Sequence, residues 1–363
     1  MHVPFCRSKC PYCDFYSITA TSLIPAWLKA VKTEAALYRD QFKIFDSLYL
    51  GGGTPTILTD DQLAALIEGL RDAFVFAPDA EVTIEANPEG LTMERLKRLR
   101  DLGVNRISLG VQSFDDKHLQ FLGRNHTAAE AEQALDKIRA AGFANVGLDF
   151  IYGSGGFTLD RWIRTLEKAL IFKPEHLSCY QLTLEAGTRF GKMKDQGLIK
   201  PISEEEARRV FLATSRFLSE NGYIHYEISN FALGEGNYSR HNQKYWRHVP
   251  YLGLGPSAHS FRDGVRWWNE RSVKGYCQKL ERGERPVEGE EHLSGEQLAL
   301  ETVYLSLRTR KGLDLADIDP HPRLGPILNQ LLGAGLAKML DGRLVPSVEG
   351  FLVADRLPLL FAD

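Results

Sequence analysis

Short apolar runs alternate with amphipathic stretches over the first two-thirds of the chain. Runs of strand length and composition occupy residues 47–50, 81–86, 105–110, 145–151 and 176–182, and residues 1–5 supply a sixth stub. Between them apolar positions recur at helical spacing over 25–42, 61–74, 93–102, 128–141, 159–172 and 204–221. In the last of these Ala207, Val210, Phe211, Thr214, Phe217 and Leu218 share one face, the pattern of a helix with one side in a core. Start and stop signals agree. Thr127 with Glu130, and Ser203 with Glu206, have capping-box spacing. Gly103, Gly142 and Gly222 follow helices, where a left-handed residue ends the last turn.

Repeated strand–helix units imply a parallel sheet covered by helices. Six units fall short of the eight that close a full barrel. The expected fold is therefore α/β, a partial (β/α)6 TIM-type barrel, with a doubly wound sheet as the alternative. In both, ligands bind at the carboxyl ends of the strands. Residues 1–222 would form this core, and residues 223–290 a polar, aromatic and Gly-rich segment. Residues 291–363 would form a small C-terminal unit with helices at 296–308 and 326–332 and strands at 336–340 and 343–345. The dipeptide Asp341-Gly342 between those strands is hairpin-turn chemistry, so the unit reads as winged-helix-like.

Composition narrows the function classes. The 363 residues are 44% hydrophobic and 25% charged, enough for a large core and more than one domain. No apolar run reaches membrane-spanning length, and the opening residues lack a basic segment followed by an apolar one, so neither a transmembrane segment nor a secretory signal is expected. The net charge of −3 is no footprint for nucleic acid. Residues 291–363 carry 7 Lys/Arg against 10 Asp/Glu, which argues against a DNA-gripping wing. Five cysteines are no disulfide framework, and a reducing cytoplasm is expected.

Three of those cysteines, Cys6, Cys10 and Cys13, form a C-x3-C-x2-C loop. Three thiolates can hold three irons of a cubane cluster and leave the fourth open to a chelating small molecule. The alternative is a zinc loop completed by His2 or a distant histidine. Cys179 and Cys277 read as buried hydrophobes. Other candidates fall just after strands. Gly51-Gly52-Gly53-Thr54-Pro55 lets backbone approach a ligand. Glu85 can accept from an ammonium or a ribose hydroxyl, and Gln112 and Arg124 follow the next strand. Asp149 sits inside an apolar run and needs a partner, an ion pair to Arg124 being one option. Such a ring of polar groups suits a zwitterionic, ribose-bearing ligand such as S-adenosylmethionine. Further along, His241, Tyr245, Trp246, His259, Trp267 and Trp268 supply groups that ligate or stack on a porphyrin, or else an aromatic packing surface.

The succession C-x3-C-x2-C, G-G-G-T-P and I-E-A-N-P resembles the radical S-adenosylmethionine superfamily. Within it the chain is similar to the branch of oxygen-independent coproporphyrinogen III oxidase and the heme chaperone HemW, from His2 to about His259 and more weakly beyond. The resemblance implies a 4Fe–4S cluster on Cys6, Cys10 and Cys13. It implies S-adenosylmethionine contacts from Tyr12, Gly52, Gly53, Thr54, Glu85, Gln112, Arg124 and Asp149, with Leu182 beside the adenine. The oxidases carry one more cysteine, where this chain has Phe15, while His241-Asn-Gln-Lys-Tyr-Trp246 is similar to the H-N-x-x-Y-W signature of the chaperones. The chaperone reading implies heme, a heme-acceptor protein (membrane-associated or not) and an electron donor for the cluster, without oxidase activity. The alternative is oxidative decarboxylation of porphyrinogen propionates. Two departures stand out. The family's first strand begins several residues before this Met1 and carries a Tyr six positions before the first cysteine, so the expectation is either a misassigned or truncated start or a maimed first strand that would weaken cofactor seating. The loop Gly153–Thr158 has Gly155 and Phe157 where the family has Pro and a polar residue, so a looser pocket edge is expected.

Overall fold

The computed structural model describes residues 1–153, 156–317 and 324–361. Its main sheet has strands β1 (His2–Val3), β2 (Ile44–Gly52), β3 (Val75–Ala86), β4 (Arg106–Gln112), β5 (Asn145–Tyr152), β6 (His176–Gln181), β7 (Ile224–His225) and β8 (Asn230–Ala232). Strands β1 to β6 pair in parallel and in sequence order, and β8 then β7 complete that edge antiparallel. Strand β1 does not meet β7, so the sheet is an open, partial barrel. The connecting helices are α1 (Ile24–Tyr38), α2 (Asp60–Ala73), α3 (Met93–Asp101), α4 (Asp116–Phe121), α5 (Ala128–Ala140), α6 (Leu159–Ile171), α7 (Arg189–Asp195) and α8 (Glu204–Glu220).

Local chemistry sets most of these limits. Thr127 and Glu130 cap α5 reciprocally, whereas Ser203 accepts from Glu206 N–H with no reciprocal bond. Helix α1 ends at Tyr38, four residues short of the expected end, where Phe42 turns its backbone N–H back to Tyr38. The short helices α4 and α7 were not expected; each is about two turns long, too brief to show a period. Cys179 and Cys277 are buried in the main core, as read from sequence.

Strand β1 is indeed brief, pairing His2 with Gly51 and Val3 with Gly52. The ladder nonetheless continues into the site: Gly53 N–H donates to Val3 O at 2.9 Å and Thr54 N–H to Phe5 O at 2.8 Å. Upstream, the Met1 amine donates to Tyr49 O at 2.9 Å, and burial brings it down to about 6. The expected softening at residues 153–158 depends on Gly155, which lies outside the described residues.

After β8 come helix α9 (Arg240–Tyr245), the sheet of β9 (His259–Arg262), β10 (Val265–Asn269) and β11 (Val287–His292), and helix α10 (Val273–Glu281). This segment is clamped to the barrel by Glu34 of α1. Gly255 N–H donates to it at 2.8 Å, and Asn269 and Tyr276 side chains also donate to its carboxylate. Burial pushes the Glu34 carboxyl up to about 7 against those three donors. Glu34→Ala would leave three buried donors unanswered, at a cost of about 3 kcal/mol. The urea midpoint should fall accordingly; an unchanged midpoint would mean that the clamp carries no stability.

The C-terminal unit has its own core of Val303, Leu307, Leu313, Ile327, Leu331, Ala337, Leu344 and Leu357. It comprises helix α11 (Gly295–Ser306), β12 (Leu313–Asp314), α12 (Leu324–Gly333), the hairpin β13 (Ala337–Leu340) and β14 (Arg343–Pro346), and α13 (Val348–Leu352). Asp341 and Gly342 turn the hairpin with φ of 48° and 76°, the left-handed pair of a type I′ turn. Among the described residues no helix is long and apolar enough to cross a membrane.

Candidate functional site

The carboxyl ends of β1 to β4 converge on the cysteine loop. Thr54, just past β2, donates its hydroxyl to Cys6 Sγ at 3.6 Å. Arg124 donates from Nη1 to Cys10 Sγ at 3.7 Å. Asn87 joins these two donors: its Nδ2 reaches Thr54 Oγ1 at 3.3 Å, and its Oδ1 accepts from Arg124 Nη2 at 2.5 Å. A continuous path of polar side chains therefore runs from one cysteine sulfur to another. Hydrogen bonds to a ligand sulfur orient it toward a metal.

The glycines have separate tasks. A Cβ on Gly53 would lie 2.6 Å from Phe5 O and 2.7 Å from Val3 O, so that position admits only hydrogen. On Gly51 it would meet the Glu85 carboxyl at 2.8 Å. Gly52, at φ 102°, donates its N–H to Glu85 Oε2 at 3.1 Å. Tyr49 donates its hydroxyl to the other oxygen at 2.8 Å. Burial pushes the Glu85 carboxyl up to about 7; these two donors oppose the rise and the Asp149 carboxylate adds to it.

Gln112 ends β4 with φ 64°, a left-handed conformation that a side-chain-bearing residue adopts at a cost and that is enriched at ligand sites. Gln112, Asn87 and Arg124 crowd over Gly110, where an added Cβ would lie 2.8, 3.2 and 3.5 Å from them respectively. The Asp149–Arg124 ion pair allowed by the sequence does not form. Arg124 is spent on Cys10, Asn87 and the Gly110 carbonyl, while Asp149 accepts from Ser108 at 3.1 Å. Burial raises the Asp149 carboxyl above its usual range. Leu182 packs with Leu122, Ile151 and Phe190 into a small apolar cluster that Tyr12 also touches.

These residues fit the cluster and cofactor that the cysteine loop implies. Arg124 Nε is buried without a hydrogen-bond partner among the described residues, a donor left for an anionic group. The zinc alternative loses its nearest fourth ligand, because both ring nitrogens of His2 lie against carbonyl oxygens, of Pro256 and, at 3.0 Å, of Tyr16.

Beside Gly51 and Gly52 a cavity of about 1230 Å³ opens between β2, α9 and the β9–β10 hairpin. His241, Tyr245 and His259 line it together with Trp268. His241 stacks on Tyr49 with ring centroids 4.4 Å apart, and its Nε2 meets the Tyr245 hydroxyl at 3.0 Å. Burial, with the Met1 amine, Arg106 and Lys244, brings the His241 imidazole down to about 3. Trp246 and Trp267 are not part of this wall. Trp246 turns to the C-terminal unit, under the Arg308 guanidinium at 5.7 Å, and Trp267 stacks on Tyr38 in the core. Sequence reading passed over Asn87 and Tyr49. Asn87 lies in the quoted I-E-A-N-P run and was findable there; nothing local marks Tyr49.

The radical SAM superfamily model matches residues 1–169. Over 362 residues the chain is 37% identical to the heme chaperone HemW of Mycobacterium tuberculosis, covering 98% of this chain and 92% of that protein. The heme chaperone HemW of Synechocystis is 36% identical over 328 residues, covering 88% of this chain and 79% of its own. Coproporphyrinogen III oxidase (HemN) from Escherichia coli superposes with a TM-score of 0.84 at 25% identity, over 99% of this chain and 88% of that one. Likeness to that mycobacterial protein extends over 98% of this chain and 92% of its own, and the chain belongs to the heme chaperone HemW family of radical SAM proteins.

Proposed function

We propose that the chain binds heme in the cavity beside α9 and passes it to an acceptor protein, with a 4Fe–4S cluster and S-adenosylmethionine in the adjoining cradle. The observation that carries this reading is the single cavity that brings His241, Tyr245 and His259 against the glycines of the cofactor loop. Its volume of about 1230 Å³ exceeds the usual small-molecule range and accommodates a porphyrin. His241 stays a neutral imidazole across physiological pH, which keeps a lone pair for iron. Tyr245 must release its bond to Nε2 when that nitrogen binds.

Cys6, Cys10 and Cys13 would hold the cluster, whose open iron supplies the chelating vertex for the amino and carboxylate groups of S-adenosylmethionine. Thr54 and Arg124 donate to two of the sulfurs. Glu85 accepts from the ribose, Gln112 and Asp149 belong to the polar ring, and Leu182 with Tyr12 walls the adenine. The work expected of the chain is binding and transfer in the cytoplasm, with a separate electron donor for the cluster.

Anaerobically reconstituted protein titrated with hemin should give a stoichiometric Soret shift and no conversion of coproporphyrinogen III under reducing conditions. Turnover to protoporphyrinogen would replace this reading with the oxidase. A hemin affinity unchanged in His241→Ala would remove that residue from the heme site.

A further inference from the structure

Tyr49 touches both proposed sites at once. Its hydroxyl occupies Glu85 Oε1 at 2.8 Å, and its ring lies nearly parallel to His241, at 18°. His241 is held from the other side by Tyr245 and through its backbone N–H, which donates to Glu81 Oε1 at 3.2 Å. Tyr49 thus joins the imidazole of α9 directly to the carboxylate of the cofactor cradle.

We propose that Tyr49 is a positioning residue that couples heme at His241 to S-adenosylmethionine at Glu85, with positive sign. The inference rests on the function proposed above. With Gly52 N–H on one carboxylate oxygen and Tyr49 on the other, each oxygen keeps one further lone pair, and the bond that Tyr49 makes lessens what a ribose diol gains from Glu85. Were Nε2 to take iron, Tyr245 would lose its bond to the imidazole, one of the contacts that hold that ring flat on Tyr49. A Tyr49 ring held less firmly would give up its bond to Glu85 more readily, to the gain of the ribose. Because the linkage is between two binding equilibria, S-adenosylmethionine must tighten hemin by the same factor.

The test uses cluster-reconstituted protein without oxygen. S-adenosylmethionine affinity is measured calorimetrically with and without hemin, and hemin affinity by absorbance with and without S-adenosylmethionine. Each ligand should tighten the other by the same factor, about fivefold or more. In Tyr49→Phe, which keeps the stack but loses the hydroxyl, S-adenosylmethionine should bind more tightly without hemin and the factor should fall to about one. A purely structural Tyr49 would weaken both ligands and leave the ratio unchanged, as would a partly unfolded variant. A wild-type factor retained in Tyr49→Phe overturns the coupling, and so does a factor of one in wild type that binds both ligands; the proposed function then stands. Failure of the wild type to bind hemin at all removes the function and the coupling with it.

Discussion

Cys10→Ala protein, reconstituted without oxygen, is expected to retain no 4Fe–4S cluster. Only three cysteines lie in the loop, and the remaining two, Cys179 and Cys277, are buried in the core far from it in sequence. Removing Cys10 leaves two thiolates for a cubane that already has one iron without a protein ligand. It also strands Arg124, whose Nη1 is aimed at that sulfur. The fold should survive, because Cys10 is half-exposed and is a member of none of the core clusters. Iron and sulfide content, visible absorbance and the paramagnetic signal after dithionite should all drop to background. Hemin should still bind, since its proposed ligand lies on α9. Wild-type iron and sulfide in Cys10→Ala would sink the assignment of the loop.

Gly53→Ala should damage the fold and the cluster together. The new Cβ would meet Phe5 O at 2.6 Å, Val3 O at 2.7 Å and Phe5 N at 2.9 Å. All three are backbone atoms, so no side chain can swing aside. The only relief is to push β1 off β2, which breaks the bonds from Gly53 N–H to Val3 O and from Thr54 N–H to Phe5 O and displaces Cys6, the residue next in line. Overpacking of this kind costs about 1–3 kcal/mol, and the lost ladder bonds add to it. A lower urea midpoint is expected together with poor cluster loading. Gly236→Ala, with nothing within 4 Å of its added Cβ, serves as the neutral control. Equal cluster content in the two variants would show that the β1–β2 ladder does not seat the loop.

The two variants differ in how far they could be foreseen. Cysteine spacing is a local property, and so are the alternation that marks β2 to β6 and the Thr127–Glu130 cap. The register of Gly53 against Val3 and Phe5 is not, because it joins segments some fifty residues apart in sequence. The expected ends of helices and strands mostly held to within a few residues. The misses in the barrel were short or terminal: α4, α7, the edge strands β7 and β8, the first residues of β3, the last turn of α1 and the unreciprocated cap at Ser203; the sheet of β9 to β11 and helix α10 were not foreseen at all.

By itself the chain's sequence determined the strand–helix succession, the thiolate loop and the kinds of polar group standing at the strand ends. Those features follow from neighbours one to four residues apart, where periodic burial and capping act. Only the tertiary structure decided who pairs with whom. It turned Arg124 from Asp149 to Asn87 and Cys10, sent Trp246 away from the cavity that His241 lines, and laid Tyr49 between His241 and Glu85. Each of those choices joins residues tens to more than a hundred positions apart, and the order and register of strands in the sheet set the distances that make one partner reachable and another not.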